Sequence, residues 1–294
     1  MSYIGRFAPS PSGHLHFGSL IAAVGSYLQA KSQQGKWLVR IEDIDPPREQ
    51  PGAADAILRT LERYHLFWDD EVVYQSQRTT RYEEILSELF NQQQVYYCHC
   101  TRAQIQAAGG FYPSTCRDLH ITENHAAIRL KVDSGCSHFE DQILGPIQVD
   151  CNLAQEDFIL KRRDGLFAYN LAVVIDDHDA GITEIVRGAD LLEPTVRQIT
   201  FFETLGWSVP QWMHLPLAIQ SNGLKLSKQN HAPAIDDLPI NETLIQVLQF
   251  LRQPLPQAAA NMTPEQLLEH AMNHWDINLI PKHSEIYTPS TTST

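Results

Sequence analysis

The sequence has few basic residues and no long apolar run. Among 294 residues, 22 are Lys or Arg and 35 are Asp or Glu, which gives a formal net charge of −13. Because Lys and Arg supply most of the affinity for nucleic acid, this balance argues against a protein that binds polyanions over its whole surface. No stretch approaches the roughly 18 apolar residues of a membrane helix, and no export signal begins the chain. We therefore expect a soluble, cytoplasmic protein that makes no membrane contact and touches nucleic acid through local patches.

Cysteine is also scarce, and its five copies are an odd number. Without an export signal, metal ligation or free thiols are favoured over a disulfide framework. Three cysteines lie close together at Cys98, Cys100 and Cys116. Thiolates at this spacing favour zinc, and a closed site with four ligands would be structural. The spacing leaves open the fourth ligand, for which histidine is the commoner chemistry; the candidates are His99, Tyr112 and His120.

The order of strand-like and helix-like segments predicts an α/β fold. A strand over residues 3–8, a helix whose apolar positions run from 20 to 28, and a strand over 37–41 open a doubly wound sheet. The amino-acid composition changes near residue 97, where Cys, Gly and His become frequent. We interpret this part as an insertion. The α/β pattern resumes at 158, with a strand over 182–186 and a helix over 194–205. Two short helices, over 244–251 and 267–275, are predicted near the end.

The first motif that carries chemistry lies between the first strand and the first helix, over residues 6–18. Backbone N–H groups at a helix start can hold phosphates, and Gly13 and Gly18 permit their close approach. His14 and His16 can donate hydrogen bonds to a polyphosphate as its charge builds. Alone, this His-x-His pattern is equally compatible with a structural histidine or an adventitious metal pair.

The second motif is the lysine loop, Lys-Leu-Ser-Lys-Gln at residues 225–229. Mobile lysines on a loop can meet the phosphates of a pentavalent transition state. Taken by itself, such a loop is usually only solvated.

Together, in this order, the two motifs resemble the signatures of class I aminoacyl-tRNA synthetases. Three further segments are similar to the catalytic domain of glutamyl-tRNA synthetases: Arg-Phe-Ala-Pro-Ser-Pro-Ser-Gly at 6–13, Arg-Ile-Glu-Asp-Ile-Asp at 40–45 and Ile-Val-Arg-Gly-Ala-Asp at 185–190. The likeness runs from about residue 3 to residue 229. It implies an α/β class I synthetase fold, with a Rossmann-type parallel sheet, a small zinc-bearing insertion and a short helical C-terminal tail.

The resemblance also implies roles for individual residues. Glutamate presents two carboxylates and one ammonium, which call for guanidinium groups and a carboxylate respectively. The glutamate-binding residues that the family implies are Arg6, Ala8, Ser10, Glu42, Tyr169 and Arg187. Those implied for ATP and its Mg²⁺ are His14, His16, Gly18, Lys225 and Lys228, of which His14, His16 and Lys228 are the catalytic set.

Two residues depart from the family pattern, and the length departs as well. Val173 stands where an asparagine is expected, and Gln229 replaces the final serine of the lysine loop. Only about 65 residues follow Gln229, too few for the anticodon-binding domains of a full glutamyl-tRNA synthetase. The chain thus resembles the truncated paralogues of that family. That likeness implies tRNA-independent activation of glutamate and its transfer to queuosine in the anticodon loop of tRNA(Asp). The paralogues' Cys-x-Cys and Tyr-x-x-x-Cys pattern points to Tyr112 as the fourth ligand of one structural Zn²⁺.

We expect four regions and a monomer. The regions are a first catalytic half at 1–96, a zinc-containing acceptor-binding insertion at 97–157, a second catalytic half at 158–210, and the lysine loop with its helical tail at 211–294. Two alternatives keep the same residues: a minimal glutamyl-tRNA synthetase that charges tRNA(Glu), and a catalytically idle paralogue that only binds tRNA. The missing anticodon domains count against the first, and the presence of His14, Glu42 and Lys228 counts against the second.

Overall fold

The computed structural model describes residues 2–123, 125–219 and 234–287. Its helices are α1 Phe17–Ser32, α2 Ala53–Arg63, α3 Thr79–Asn91, α4 Arg102–Ala107, α5 Cys151–Ala154, α6 Tyr169–Asp179, α7 Leu192–Thr204, α8 Ile240–Phe250 and α9 Pro264–Asn273. Its strands are β1 Ile4–Phe7, β2 Lys36–Ile41, β3 Val73–Tyr74, β4 Val95–Cys98, β5 Ala127–Leu130, β6 His138–Asp141, β7 Gly145–Gln148, β8 Ile159–Lys161, β9 Glu184–Gly188, β10 Gln211–Leu215, β11 Leu217–Ile219 and β12 Glu285–Tyr287.

Parallel strands form the centre of the fold. The order β1-β2-β3 is parallel throughout, and β9, β10 and β6 are parallel neighbours, with β7 antiparallel at the edge. The two groups meet where the backbone N–H of Thr183, just before β9, donates to the carbonyl of Ile4 over 2.9 Å. This arrangement confirms the predicted class I parallel sheet.

Alternating side chains of β2 explain how both faces of the sheet are covered. Trp37, Val39 and Ile41 are buried in one core together with residues of α1, α2, α8 and α9. Leu38 packs against a second core, which contains residues of α3, α6 and α7. Because successive strand residues point to opposite faces, β2 ties the two cores together.

Helix α1 begins at the first motif and crosses the sheet at close range. His16 caps the helix, its Nδ1 accepting from the backbone N–H of Ser19 over 3.2 Å. Near its middle, Gly25 lies against β10, where an added Cβ would come within 2.5 Å of Leu215 Cδ1. This close approach fixes the start of α1 relative to the carboxyl ends of the strands.

The range 97–157 contributes to two different parts of the fold. Strands β4, β5 and β8 form a separate antiparallel sheet, which begins at Val95 and ends at Lys161, slightly outside the range. The hairpin β6–β7 instead joins the central sheet, where β6 meets β10 through one register pair, Asp141 with Trp212. Part of the predicted insertion therefore extends the central sheet at one edge.

The last part of the chain is packed against α1. Helices α8 and α9 start a few residues earlier than the sequence predicts, and Trp275 donates its indole N–H to Gln29 Oε1 over 2.7 Å. The strand β12 was not predicted; it has only three residues and pairs in parallel with β11. None of the helices in the described parts of the chain is long and apolar enough to cross a membrane.

Shared packing predicts that the tail unfolds together with the catalytic part. Leu248 of α8 is fully buried in the core that also contains α1. We expect Leu248→Ala to lower the free energy of unfolding by about 2–5 kcal/mol, because it removes apolar contacts and leaves a cavity. Urea denaturation would measure the change, with Gln246→Ala on the exposed side of α8 as the control. Two separate transitions, only one of them shifted, would contradict a common core.

Candidate active site

The loops that follow β1 and β2 lie side by side at the carboxyl ends of these parallel strands. The backbone N–H of Glu42 donates to the carbonyl of Pro9 over 3.0 Å, and that of Gln50 donates to the carbonyl of Pro11 over 2.9 Å. Ala8 is partly buried and Ser10 is exposed within the first loop. Ligands of doubly wound α/β folds bind at this edge of the sheet. The structure thus places the first motif and the acidic loop around one site.

Arg6 and Arg40 share one buried carboxylate, that of Asp177 on α6. Arg6 donates from Nε to Oδ1 over 3.0 Å and from Nη2 to Oδ2 over 3.2 Å, and Arg40 donates from Nη1 to Oδ1 over 2.6 Å. Burial opposes ionisation of Asp177, but Arg40 and Arg6 hold its pKa below the ordinary value. No described residue accepts a hydrogen bond from Nη1 of Arg6, so this nitrogen is available to a ligand.

Glu42 presents a partly satisfied carboxylate to the site. Its Oε1 accepts from Nη2 of Arg40 over 3.2 Å, and its side chain is only 9% exposed. Burial raises the pKa of Glu42, while the charges of Arg40 and Arg6 act in the opposite direction. A substrate ammonium at this carboxylate would favour its charged form.

Arg187, in β9, is a buried guanidinium surrounded by neutral acceptors. Its Nε donates to Nε2 of His214 over 3.1 Å. The other four N–H groups point to Gln198 Oε1 at 2.8 Å, Thr195 Oγ1 at 2.7 Å, the Leu191 carbonyl at 3.3 Å and the Tyr169 hydroxyl at 3.4 Å. No carboxylate of the described residues forms an ion pair with it. Burial lowers the pKa of Arg187, since its charge lacks a direct counter-ion.

Tyr169 lies close enough to the charged groups described above to interact with all of them electrostatically. Burial raises the pKa of its hydroxyl, and the charges of Arg187, Glu42, Arg6 and Asp177 all act on it. The structure therefore brings together the four charged or phenolic residues assigned to glutamate from the sequence. Val173, one turn along α6, is buried in the second core and offers no polar atom in place of the expected asparagine.

Three of the residues expected to bind ATP, His14, His16 and Gly18, lie at the start of α1. His14 is largely exposed, and its Nδ1 lies 2.8 Å from Oδ2 of Asp236. His16 and Gly18 stand at the cap and the second residue of the helix. The segment after the lysine loop is bound to the same turn, because the N–H of Ile235 donates to the Leu15 carbonyl over 3.1 Å. Lys225, Lys228 and Gln229 lie outside the described residues.

Three cysteine sulfurs lie together at the end of β4. The Sγ atoms of Cys98, Cys100 and Cys116 are all within 4.8 Å of one another, and those of Cys100 and Cys116 are 3.5 Å apart. Burial, followed by the neighbouring thiols, raises the pKa of Cys100 to about 12. Three converging thiols with no disulfide match the soft ligands that zinc prefers.

Burial distinguishes the three candidates for a fourth ligand. Tyr112 is 4% exposed and packs among Cys98 and Cys116, whereas His99 and His120 are exposed. Burial raises the pKa of the Tyr112 hydroxyl, and a hydrogen bond with the Cys98 thiol adds to the rise. The guanidinium of Arg129 lies 3.7 Å from the centre of the Tyr112 ring. The phenol oxygen is therefore the candidate held beside the sulfurs.

Sequence reasoning missed most of the partners that hold the site residues. Asp177 belongs to an acidic pair that ends an apolar run, but its two arginines are far away in sequence. Thr195, Gln198 and His214 form no motif with Arg187. One of these partners could have been noticed in the sequence. Arg40 is a charged residue inside the apolar strand β2, and a buried charge needs a partner of opposite charge.

Comparisons with known proteins identify the class to which this site belongs. Residues 4–243 match the family described as tRNA synthetases class I (E and Q), catalytic domain. The fold is similar to that of a glutamate-tRNA synthetase from Elizabethkingia anophelis, with a TM-score of 0.81 at 24% identity over 97% of this chain and 68% of that one. The chain belongs to this class I synthetase family and is a ligase.

Within the family, the chain matches one group of proteins over nearly its whole length. It is 58% identical to the glutamyl-Q tRNA(Asp) synthetase of Pectobacterium atrosepticum, over 99% of this chain and 90% of that protein. It is also 58% identical to the protein of the same name from Escherichia coli strain K12, over 95% of this chain and 91% of that protein.

The shared carboxylate of Asp177 predicts a large effect on stability. We expect Asp177→Asn to lower the free energy of unfolding by about 3–5 kcal/mol at pH 7, because two buried guanidinium groups lose their counter-charge. Since the folded pKa of Asp177 lies below 3.8, its contribution is fully present above that pH and is lost as the pH falls through the folded pKa. Urea denaturation would measure the effect.

Asp179→Asn is the matched control on the same helix. Asp179 pairs with Arg78 and Arg81 at the surface, where the expected loss is below about 1 kcal/mol. Equal effects of the two substitutions would contradict a special role for Asp177.

Proposed function

We propose that this protein activates glutamate with ATP, without tRNA, and transfers it to queuosine at the wobble position of tRNA(Asp). In the first step, an oxygen of the α-carboxylate of glutamate attacks the α-phosphorus of ATP, and the bond to pyrophosphate breaks. In the second step, a hydroxyl of the acceptor attacks the acyl carbon of the adenylate, loses its proton, and AMP leaves with the bonding electrons.

The observation that carries the glutamate assignment is the buried, uncompensated charge of Arg187. A guanidinium that lacks a direct counter-ion in a dry site favours an anionic ligand strongly, because the ligand's charge removes much of the burial cost. The hydroxyl of Tyr169, at 3.4 Å, is the longest of its contacts and the one most easily exchanged for a carboxylate oxygen. If the side-chain carboxylate of glutamate is the group that meets Arg187, an amino acid with a neutral side chain would leave that charge unmatched.

Glu42 and Arg6 complete the match to the substrate. The Oε2 atom of Glu42 accepts no hydrogen bond within the described residues and offers a place for the ammonium of glutamate. Nη1 of Arg6 offers a donor, while the rest of its guanidinium is held by Asp177. We propose that Ala8 and Ser10, in the loop after β1, also line the amino-acid pocket.

The start of α1 supports the assignment of ATP. Its positive end and the side chains of His14 and His16 suit a polyphosphate, which would enter as the magnesium complex. We propose that Gly18, in the first turn of α1, allows a phosphate to approach the backbone closely. We propose that Lys225 and Lys228, which lie between β11 and Ala234 in the sequence, contact the phosphates, since Ala234 forms a β-bridge with His16 at the start of α1.

The names of the similar proteins support the acceptor. Both relatives described above are called glutamyl-Q tRNA(Asp) synthetases, and the match extends over the whole of 97–157. We propose that this range receives the anticodon loop, where it would bring the acceptor to the adenylate at the edge of the central sheet.

We also propose that Cys98, Cys100, Tyr112 and Cys116 hold one zinc ion. The convergence of three sulfurs and the burial of Tyr112 beside them support this set over one with His99 or His120. A bound zinc would cross-link the end of β4 to the segment that carries Tyr112 and Cys116. With all four positions taken by protein, it would stabilise the insertion and take no part in the reaction.

Transfer of radiolabelled glutamate tests the reaction. The protein is incubated with ATP and magnesium and with tRNA(Asp) that carries or lacks queuosine, and in parallel with tRNA(Glu). We expect label only on queuosine-bearing tRNA(Asp), and pyrophosphate exchange that requires glutamate but no tRNA. Glu42→Gln should lower kcat/KM for glutamate about 10- to 100-fold through loss of an ionic hydrogen bond, whereas the exposed Glu88→Gln should not.

The other outcomes separate the alternatives. Label on tRNA(Glu) would make the protein a minimal glutamyl-tRNA synthetase. Absence of both label and adenylate would contradict any enzymatic function.

Metal analysis tests the zinc site. We expect about one zinc ion per chain in the wild type, and loss of zinc with a lower melting temperature in Cys116→Ser, because a missing thiolate opens the site. Cys151→Ser, which changes an exposed thiol outside the cluster, should keep both. Loss of zinc in His99→Ala or His120→Ala, with retention in Tyr112→Phe, would show that the fourth ligand is a histidine.

A further inference from the structure

We propose that Asp141 and His214 are positioning residues that fix the guanidinium of Arg187 for the side chain of the amino-acid substrate. Neither residue lies in a motif that the sequence analysis identified, and both side chains are fully buried. The inference rests on the proposed function, because it concerns how the same pocket selects glutamate.

The Asp141 carboxylate determines which nitrogen of His214 carries the proton. Its Oδ2 accepts from the His214 backbone N–H over 3.0 Å and lies 2.7 Å from Nδ1 of the ring. Its Oδ1 accepts from the backbone N–H groups of Ile143 and Leu144 over 3.0 and 2.9 Å. An ionised carboxylate only accepts hydrogen bonds, so Nδ1 of His214 must be the donor.

The other ring nitrogen therefore faces Arg187 as an acceptor. Nε2 of His214 lies 3.1 Å from Nε of Arg187, which is always a donor. The hydroxyl of Thr195 lies 3.2 Å from the same nitrogen, but it already donates to the Leu191 carbonyl over 2.8 Å. The series Asp141, His214, Arg187 is thus a directed chain of hydrogen bonds in which each member fixes the next.

The neutral imidazole also explains how Arg187 keeps its charge available. A carboxylate in direct contact would neutralise the guanidinium, as Asp177 does for Arg6. Asp141 is instead separated from Arg187 by the ring of His214, so the arginine is oriented without being paired. The indole of Trp212, whose ring centre is 5.0 Å from the guanidinium carbon, restricts Arg187 further. An anionic substrate group can then complete the ion pair.

The two positioning residues come from different segments. His214 is in β10, and Asp141 is the last residue of β6, in the region that we expected to be an insertion. The only register pair between these strands is Asp141 with Trp212. The chain of hydrogen bonds therefore links the hairpin β6–β7 to the amino-acid pocket.

Substitution of Asp141 tests the direction of the chain. In Asp141→Asn, the side-chain amide can donate to His214, which would favour the ring form that is protonated on Nε2. That proton would face Nε of Arg187, so two donors would meet and the guanidinium would be displaced. We expect the KM for glutamate in pyrophosphate exchange to rise about 10- to 100-fold, as for loss of one ionic hydrogen bond. The KM for ATP should stay within about threefold.

Two amides in place of His214 provide a matched pair. In His214→Gln, the amide oxygen reaches the position of Nε2 and can accept from Arg187. In His214→Asn, the shorter amide replaces only Nδ1 and leaves Arg187 without this acceptor. We expect the asparagine variant to raise the KM for glutamate about 10- to 100-fold and the glutamine variant to recover most of the loss. His138→Gln, at the exposed start of the same hairpin, is the control.

Thermal denaturation and calorimetric titration with glutamate accompany the kinetics. Selective weakening of glutamate binding in Asp141→Asn and His214→Asn, with rescue in His214→Gln, supports the proposal. An unchanged KM for glutamate, or equal losses for glutamate and ATP that follow a lower melting temperature, overturns it. If the wild type neither binds nor activates glutamate, the proposed function itself fails and this inference fails with it; normal wild-type activity with unaffected variants refutes the inference alone.

Discussion

The buried carboxylate of Asp177 holds two arginines from neighbouring strands, and the geometry of the pocket depends on that contact. Arg6 and Arg40 are 3% and 4% exposed, and each would cost several kcal/mol if buried without a partner. Asp177 supplies the counter-charge and at the same time fixes α6 against β1 and β2. Because Tyr169 begins the same helix and its hydroxyl contacts Arg187, the position of α6 also determines how β9 meets the site.

The pocket contains two arginines in opposite electrostatic states. Arg6 is bound by a carboxylate on two of its nitrogens, whereas Arg187 is surrounded by neutral acceptors. The first mainly contributes to the architecture and retains one nitrogen for a ligand. The second carries a positive charge without a direct counter-ion among the described residues, and to this charge we attribute the proposed preference of the pocket for an anion. Both arginines were expected from the sequence to bind substrate. The surrounding structure, however, leaves one nitrogen of Arg6 and the unpaired charge of Arg187 available to a ligand.

Local patterns predicted the central sheet, and the family resemblance predicted which residues form the site, but neither predicted the contacts that hold these residues in place. Apolar strands and turn residues are local signals, so β1, α1 and β2 were placed correctly within a few residues. The bond from Arg6 to Asp177 joins residues 171 positions apart, and no periodicity reports such a pairing. The choice between Tyr112 and a histidine depends on burial, which spacing does not contain. The hairpin β6–β7 fell within the predicted insertion because Cys, Gly and His become frequent from residue 97, and composition does not indicate with which sheet a short strand pairs.

The single register pair between β6 and β10 has a consequence for the evolution and engineering of such enzymes. Asp141 lies in a region whose amino-acid composition differs from that of the two predicted catalytic halves, yet it hydrogen-bonds to His214 in the central sheet. A chimera that exchanged residues 97–157 as a cassette would bring in a foreign partner for His214 and disturb the amino-acid pocket. If residues 97–157 receive the acceptor and the Asp141–His214 contact orients Arg187, as we propose, then acceptor specificity and amino-acid specificity are coupled. Recombination would then preserve both only at crossovers that keep this aspartate and histidine together.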